Sequence, residues 1–229
     1  MILKVDFKNH CLLEFEKWFE YFKHRNYDFC KKVSDNHIEL CRDILLQKVW
    51  DAEEENNVAY ITGVLFKGLI EFVQLAELTK DRKWHIDIKR TERVWGLMWN
   101  CIDRFKFSSK HFVAEGFSWI QKILEELKYD FVNYFGHGIY ASPEILIKKE
   151  ICSICNEDTR ACNHLSGTLY NGRMCCSVPQ EIQMKSVSLV TFPKDPRCRL
   201  WKWNMTEERT FTTPIMVLFR IDDWLIDEN

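Results

Sequence analysis

Three cysteines and one histidine lie close together in the sequence, in the order Cys152, Cys155, Cys162 and His164. Their spacing is C-x2-C-x6-C-x-H, so the four side chains fall within thirteen residues. Zinc prefers thiolate sulfur and imidazole nitrogen, and a structural zinc site takes four such ligands with no position left open. The pattern therefore predicts a structural zinc site formed by these four side chains.

Other interpretations of this cluster remain open. Cys175 or Cys176 could replace His164 as the fourth ligand, because both follow shortly afterwards. A redox-active C-x2-C pair normally opens a helix after a strand, and no such pattern surrounds Cys152. With 10 cysteines in 229 residues, one C-x2-C pair could arise by chance. A C-x2-C pair followed within nine residues by C-x-H is much rarer by chance, so we favour zinc.

The residues before this cluster have the periodicity of a helical bundle. Apolar side chains recur at three- and four-residue steps in five segments, as on one face of an amphipathic helix. We expect Asn56 or Asn57 to cap the third helix and Thr91 to cap the fourth, and the acidic run at 51–55 to be a solvated face. Gly136 is expected to end the last helix. The five segments begin near Leu12, Asn36, Asn56, Thr91 and Phe117.

The pattern changes after Pro143. Residues 144–151 alternate apolar and polar side chains, which predicts a strand leading into Cys152. The pair Asn171-Gly172 predicts a tight hairpin turn, and two further strands are expected near 187–189 and 198–200. This region has few apolar residues, and metal binding can add about 10 kcal/mol or more of folding energy. The predicted fold class is α+β, with a helical bundle at 1–138 and a small zinc-stabilised β-rich module at 139–229.

The cluster and its flanks also support a resemblance. The run from Cys152 to Gly172 has the form C-x2-C-x6-C-x-H-x2-G-x2-Y-x-G, preceded by G-x-x-A-S-P-E at 138–144 and followed by V-S-L-V at 187–190. This combination resembles that of uncharacterised bacterial proteins, some of them phage-related. The resemblance covers residues 136–203 and does not extend to the helical part. It implies a zinc site and a bacterial or phage setting, and no established activity.

Charge and hydropathy limit the possible partners and cellular compartments of the protein. The formal net charge is -2, so the whole chain has no electrostatic attraction to nucleic acid. The first residues lack the apolar segment of a signal peptide. We identified no apolar run of about 18–20 residues, the length that spans a bilayer. We therefore expect a cytoplasmic protein with no membrane partner and with reduced cysteines.

A short basic and aromatic segment suggests one possible partner. Arg197 and Arg199 alternate with other residues just before Trp201 and Trp203. Arginine binds phosphate and tryptophan stacks on bases, so this segment could bind single-stranded nucleic acid. The alternative is a strand with one buried aromatic face and one solvated basic face. We favour that alternative, because the two tryptophans fall on the same face of a strand.

These observations favour a binding, accessory or regulatory protein that engages a protein partner or a nucleic acid. The competing hypothesis is a zinc-dependent hydrolase or nuclease. Four protein ligands on the metal would indicate a structural site, whereas three ligands and a water would indicate catalysis. We also expect the apolar tail at 214–226 to return across the helical bundle. The sequence leaves the oligomeric state open.

Overall fold

The computed structural model describes residues 7–47, 52–112, 115–204 and 219–225. The chain divides into two compact units, one formed by Met1–Tyr134 with Phe219–Asn229 and the other by Phe135–Leu218. The first unit is helical and the second is mainly β, which confirms the α+β class. The sequence-based division was 1–138 and 139–229, and the described residues 219–225 belong instead with the helices.

Five α-helices make up the described part of the helical region. Their apolar stripes point inward, as the periodicity predicted; in the first helix the stripe buries Phe15, Trp18 and Phe22. Gly136, in the left-handed conformation at φ 68°, follows the last helix and ends it as expected. The helices are α1 (Phe7–Lys23), α2 (Tyr27–Leu46), α3 (Glu53–Thr79), α4 (Ile88–Ser108) and α5 (Glu115–Phe135).

The starts of α2, α3 and α4 differ from the predicted ones. Helix α2 begins nine residues before Asn36; Asn26 occupies its capping position, although its side chain makes no capping hydrogen bond. Helix α3 begins at Glu53, so the acidic run forms its first turn, where carboxylates favour the positive end of the helix dipole. Helix α4 is capped by Asp87, whose side chain accepts a 2.9 Å hydrogen bond from the Arg90 N–H, while Thr91 lies buried inside the helix.

Helix α3 is the buried helix of its unit. Our sequence analysis overlooked that α3 is long and apolar enough to cross a bilayer, with a mean hydropathy of 1.5 over 18 residues. However, 78% of that window is buried inside the protein, between neighbours that include α2 and α4. These observations are typical of the core helix of a globular unit.

The described C-terminal residues pack against the helices. Arg104 of α4 is fully buried and donates to the Glu71 carboxylate at 2.9 Å and to the Asp223 carboxylate at 2.8 Å. Trp224 is 2% exposed, and its ring lies where Gly63 has no side chain. Residues 219–225 thus return to the bundle as expected, and the other residues of the predicted tail lie outside the described ranges.

The β-rich unit is built on a long antiparallel ribbon. Strand β1 (Ile139–Cys152) pairs with β4 (Ser177–Val190) along its length, and β5 (Arg199–Leu200) pairs only with the start of β1. Between the long strands, β2 (Leu169–Tyr170) and β3 (Arg173–Met174) form the predicted hairpin. Asn171 and Gly172 form its turn with φ values of 49° and 73°, as a tight turn of this type requires.

The contact between Trp224 and α3 predicts the effect of a glycine substitution. A Cβ atom at Gly63 would lie 2.1 Å from the Trp224 ring. Gly63→Ala should therefore displace the ring and lower the free energy of unfolding by about 1–3 kcal/mol. Urea unfolding followed by circular dichroism measures this change.

Gly96 of α4 provides the matched control, because a Cβ there meets nothing within 4 Å. Gly96→Ala should be neutral or stabilising by up to about 1 kcal/mol. Equal stabilities of the two variants would contradict the packing of Trp224 on α3.

Candidate metal centre

Two consecutive turns bring the predicted ligands together after β1. Cys152 is the last residue of β1, and its N–H donates to the Glu157 carbonyl at 2.8 Å, so the chain folds back at once. Asn156, at φ 63°, adopts the left-handed conformation inside this first turn. In the second turn the Cys162 N–H donates to the Asp158 carbonyl at 3.1 Å. The loop therefore positions its thiols through backbone hydrogen bonds.

The four predicted ligands form one compact cluster. The ligand atoms of Cys152, Cys155, Cys162 and His164 all lie within 4.8 Å of one another. The sulfurs of Cys155 and Cys162 are 3.5 Å apart, and the Cys162 sulfur is 3.2 Å from His164 Nδ1. Two sulfurs on a tetrahedral zinc, each at about 2.3 Å from the metal, lie about 3.8 Å apart. The cluster could thus hold a metal ion of this size.

One further thiol lies beside the cluster. Cys175 is buried, and its sulfur is 3.7 Å from that of Cys152. Cys176 is exposed, and its N–H donates to the Ser153 hydroxyl at 2.9 Å. Of the two cysteines that could replace His164, the structure therefore brings Cys175 within reach of another ligand.

The surroundings of the thiols give them different pKa values. The backbone N–H of Cys155 makes the largest contribution in lowering the pKa of Cys152 to about 6. At Cys162 the backbone N–H of His164 acts in the same direction, but burial and the neighbouring thiols raise the pKa to about 11. Burial, with the adjacent Cys152 thiol, raises the pKa of Cys175 to about 11. Because metals bind thiolates, the Cys152 thiol is better prepared for metal binding near neutral pH than the thiols of Cys162 and Cys175.

The carboxylate of Asp158, within the loop, is already engaged. Arg160 binds the Asp158 carboxylate through Nε at 2.9 Å and Nη2 at 2.6 Å. These hydrogen bonds hold the pKa of Asp158 well below its usual range. Asp158 therefore stabilises the second turn, and it is not a free base for a metal-bound water.

The two arginines proposed to bind nucleic acid take part in contacts within the β-rich unit. Arg199 is 4% exposed, and its guanidinium donates to the carbonyls of Phe135 at 3.3 Å and Gly136 at 3.0 Å. Arg197 forms an ion pair with Asp195 at 3.0 Å. Both guanidinium groups thus have partners in the protein, and their role in nucleic-acid binding stays a prediction.

The two tryptophans of the same segment pack on each other. The rings of Trp201 and Trp203 are stacked at 4.9 Å, and the Phe135 ring meets both at steep angles. Trp201 is buried, and β5 ends before it, at Leu200. The segment is therefore a compact aromatic cluster beyond the strand, and its arrangement differs from the extended strand expected.

The ribbon of β1 and β4 exposes an apolar surface that our sequence analysis missed. Directly paired residues lie on the same face of an antiparallel sheet, and three alternate pairs on one face combine apolar side chains. Among them, Ile182 is 57% exposed and Met184 is 53% exposed. We call these pairs the apolar ladder: Pro143 with Val187, Ile145 with Met184, and Ile147 with Ile182.

The alternating pattern at 144–151 was the sequence feature from which this surface could have been predicted. Alternation predicts that one face of a strand is covered. In the structure, however, nearly all residues of β4 are exposed. The pattern correctly predicted the strand, while the exposure of its apolar face could be seen only in the structure.

Comparison of the chain with protein-family models, curated proteins and solved structures found no match. Two features of the β-rich unit bear on its function: the cysteine and histidine cluster, and the apolar ladder.

The position of Cys175 gives a test of the ligand set. If Cys152, Cys155, Cys162 and His164 hold the metal, His164→Ala should lower zinc affinity more than tenfold, because three ligands remain. Cys175→Ser should then bind zinc as the unchanged protein does. Competition with a chromogenic chelator measures the affinity, and the absorption of the cobalt-substituted protein counts the thiolates.

Cys176→Ser is the matched control, since this thiol is exposed. Loss of zinc from Cys175→Ser with normal binding by His164→Ala would assign the fourth position to Cys175 instead.

Proposed function

We propose that the protein is a zinc-stabilised binding protein that engages a protein partner through the ribbon of β1 and β4. The observation that carries this proposal is the apolar ladder on a ribbon with little burial. A partner that covers the ladder would remove apolar side chains from water, which favours association.

The donor set supports zinc as the metal. Three thiols and one imidazole suit zinc, whereas magnesium and calcium prefer oxygen ligands. Four protein ligands also make a closed site, which is typical of structural zinc. The hydrolase or nuclease hypothesis would need an open position on the metal, and no observation in the described residues favours it.

The position of the cluster explains why a structural metal would be needed. Cys152 pairs with Ser177 at the end of the ribbon, so the cluster lies where the loop leaves the two strands. A two-stranded ribbon is marginally stable in water by itself. Zinc bound to these four ligands would fix the loop that follows β1, and hydrogen bonds between Ser153 and Cys176 connect that loop to the start of β4. The metal would also supply folding energy that the small core lacks.

The free edge of β4 indicates the kind of partner. In the three-stranded sheet the order is β4-β1-β5, so β4 is an edge strand. Such an edge offers unpaired backbone groups to an added strand. We propose a partner that contributes an extended segment with apolar side chains, pairs with β4 and covers the ladder.

The cysteines suggest where the protein works. All ten cysteines are free thiols, which is typical of a reducing compartment. We therefore propose a cytoplasmic setting. The resemblance of residues 136–203 further supports a bacterial cell or phage infection as that setting.

Removal of the metal should unfold the β-rich unit selectively. The purified protein should contain one zinc per chain by elemental analysis. A strong chelator should then make the exposed Lys148, Lys149 and Lys185 in the ribbon sensitive to trypsin, because the loop that joins the two strands loses its fold. The helical circular-dichroism signal should largely persist, and added zinc should restore the resistance. Absence of stoichiometric metal would reject the zinc site.

Substitutions on the ladder test the partner-binding surface. A photoreactive residue at Met184 should cross-link to one protein species in cells, and Ile182→Ser should reduce this product about tenfold or more through lost apolar burial. Gln183→Ser is the control, because this side chain is polar and exposed on the same strand. In a complex purified with the identified protein, hydrogen exchange of β4 amides should slow. Cross-links to nucleic acid alone would count against a protein partner.

A further inference from the structure

The helical unit contains a cavity that the proposed function does not use. Its volume is about 710 Å³, within the range of small-molecule binding sites. It lies between the last turns of α1 and α3, the start of α2, and α5. Its walls are rich in aromatic side chains, contributed by Phe22, Tyr27, Phe72, Trp84, Trp119 and Tyr134.

The aromatic walls are held in place by one another. Trp119 meets Phe22 edge-on at 5.5 Å and Phe72 at 6.2 Å. On another part of the wall, Trp84 and Tyr134 meet edge-on at 6.0 Å. Phe22, Phe72 and Trp84 are buried, whereas Tyr134 is 48% exposed. The cavity therefore combines a rigid aromatic base with ring surface that a ligand can reach.

Four basic side chains line the same cavity. Lys23, Arg25, Lys80 and Arg82 are all exposed, and only Lys23 has an acidic partner within the described part of the chain, Glu20 at 2.5 Å. Their position beyond the last turns of α1 and α3 suits the negative ends of the helix dipoles. Arg25, Lys80 and Arg82 have no carboxylate partner among the described residues. Their N–H donors are therefore available to an anion.

Arg25 has an unusual backbone as well. Its φ of 56° lies in the left-handed region, which favours glycine or asparagine over a long side chain. The Arg25 N–H donates to the Phe22 carbonyl at 2.9 Å and the Asn26 N–H donates to the Tyr21 carbonyl at 2.9 Å, so this conformation ends α1. The helix end places the Arg25 side chain at the cavity.

We propose that this cavity binds a nucleoside monophosphate. The aromatic walls would stack on the base, as aromatic side chains do in nucleotide recognition. The guanidinium groups of Arg25 and Arg82, with Lys80, would bind the phosphate, since guanidinium matches phosphate oxygens with two parallel hydrogen bonds. Glu126 and Asp130 also line the cavity and would accept hydrogen bonds from an exocyclic amino group of the base. AMP, which carries such a group, is therefore the probe of choice.

Calorimetric titration of the full chain tests the proposal. AMP should bind one site per chain, and adenosine and inorganic phosphate should each bind at least tenfold more weakly, because each uses half of the cavity. AMP should also shield tryptophan fluorescence from acrylamide, since Trp84 and Trp119 line the cavity. No binding at millimolar AMP, or equal affinity for AMP and inorganic phosphate, would overturn the proposal.

A matched pair of double variants separates specific from general charge effects. Arg25→Gln with Arg82→Gln should weaken AMP binding more than tenfold. Lys89→Gln with Arg93→Gln makes the same change in net charge on the exposed surface of α4 and should leave the affinity unchanged. Equal losses in both would overturn the site. Because all four side chains are exposed, both variants should fold, and circular dichroism checks their folding. The acrylamide measurement uses the unchanged protein and therefore tests the proposal independently of the variants.

Discussion

The convergence of four ligand atoms within 4.8 Å is the constraint on which the β-rich unit depends. Strands β1 and β4 each contain fourteen residues; nearly all of β4 is exposed and β1 buries only Tyr140, Ala141 and Cys152, so burial contributes little to holding them together. The loop between them must instead close tightly enough for Cys152 to face Ser177 across the ribbon. Backbone hydrogen bonds form its turns, and the thiols and imidazole meet inside it. A metal bound by these side chains would fix the loop, and hydrogen bonds between Ser153 and Cys176 connect the loop to the start of β4.

The helical unit has a different physical basis. Helix α3 is buried along most of its length, and aromatic rings from α1, α4 and α5 surround it. Arg104 is the one charged side chain that is fully buried among the described residues, and two carboxylates and nearby carbonyls compensate its charge. A buried charge without such partners would be strongly unfavourable. Asp223 supplies one of these carboxylates, so the C-terminal residues complete the helical unit.

The two proposed binding surfaces differ in their chemistry. The ribbon offers apolar side chains and a free strand edge, which suit a protein segment. The cavity in the helical unit combines aromatic walls with unpaired cations, which suit a small aromatic anion. A protein with both surfaces would resemble a regulatory adaptor, in which one unit recognises a partner and the other a metabolite. A metal held by all four of these side chains would have no open position for catalysis, which would suit a binding role.

Local patterns were sufficient to establish the helices, the Asn171-Gly172 turn and the ligand cluster. Each depends on residues that are near neighbours in the chain; the four ligands, for example, are joined by two short turns. Other features of the structure depend on contacts between residues that are far apart in the chain. Arginine side chains usually lie on the surface. Arg104 and Arg199 are buried instead, because partners far away in the sequence accept their hydrogen bonds. The approach of Cys175 to Cys152 and the walls of the cavity likewise depend on packing between separate elements, for which no local pattern exists.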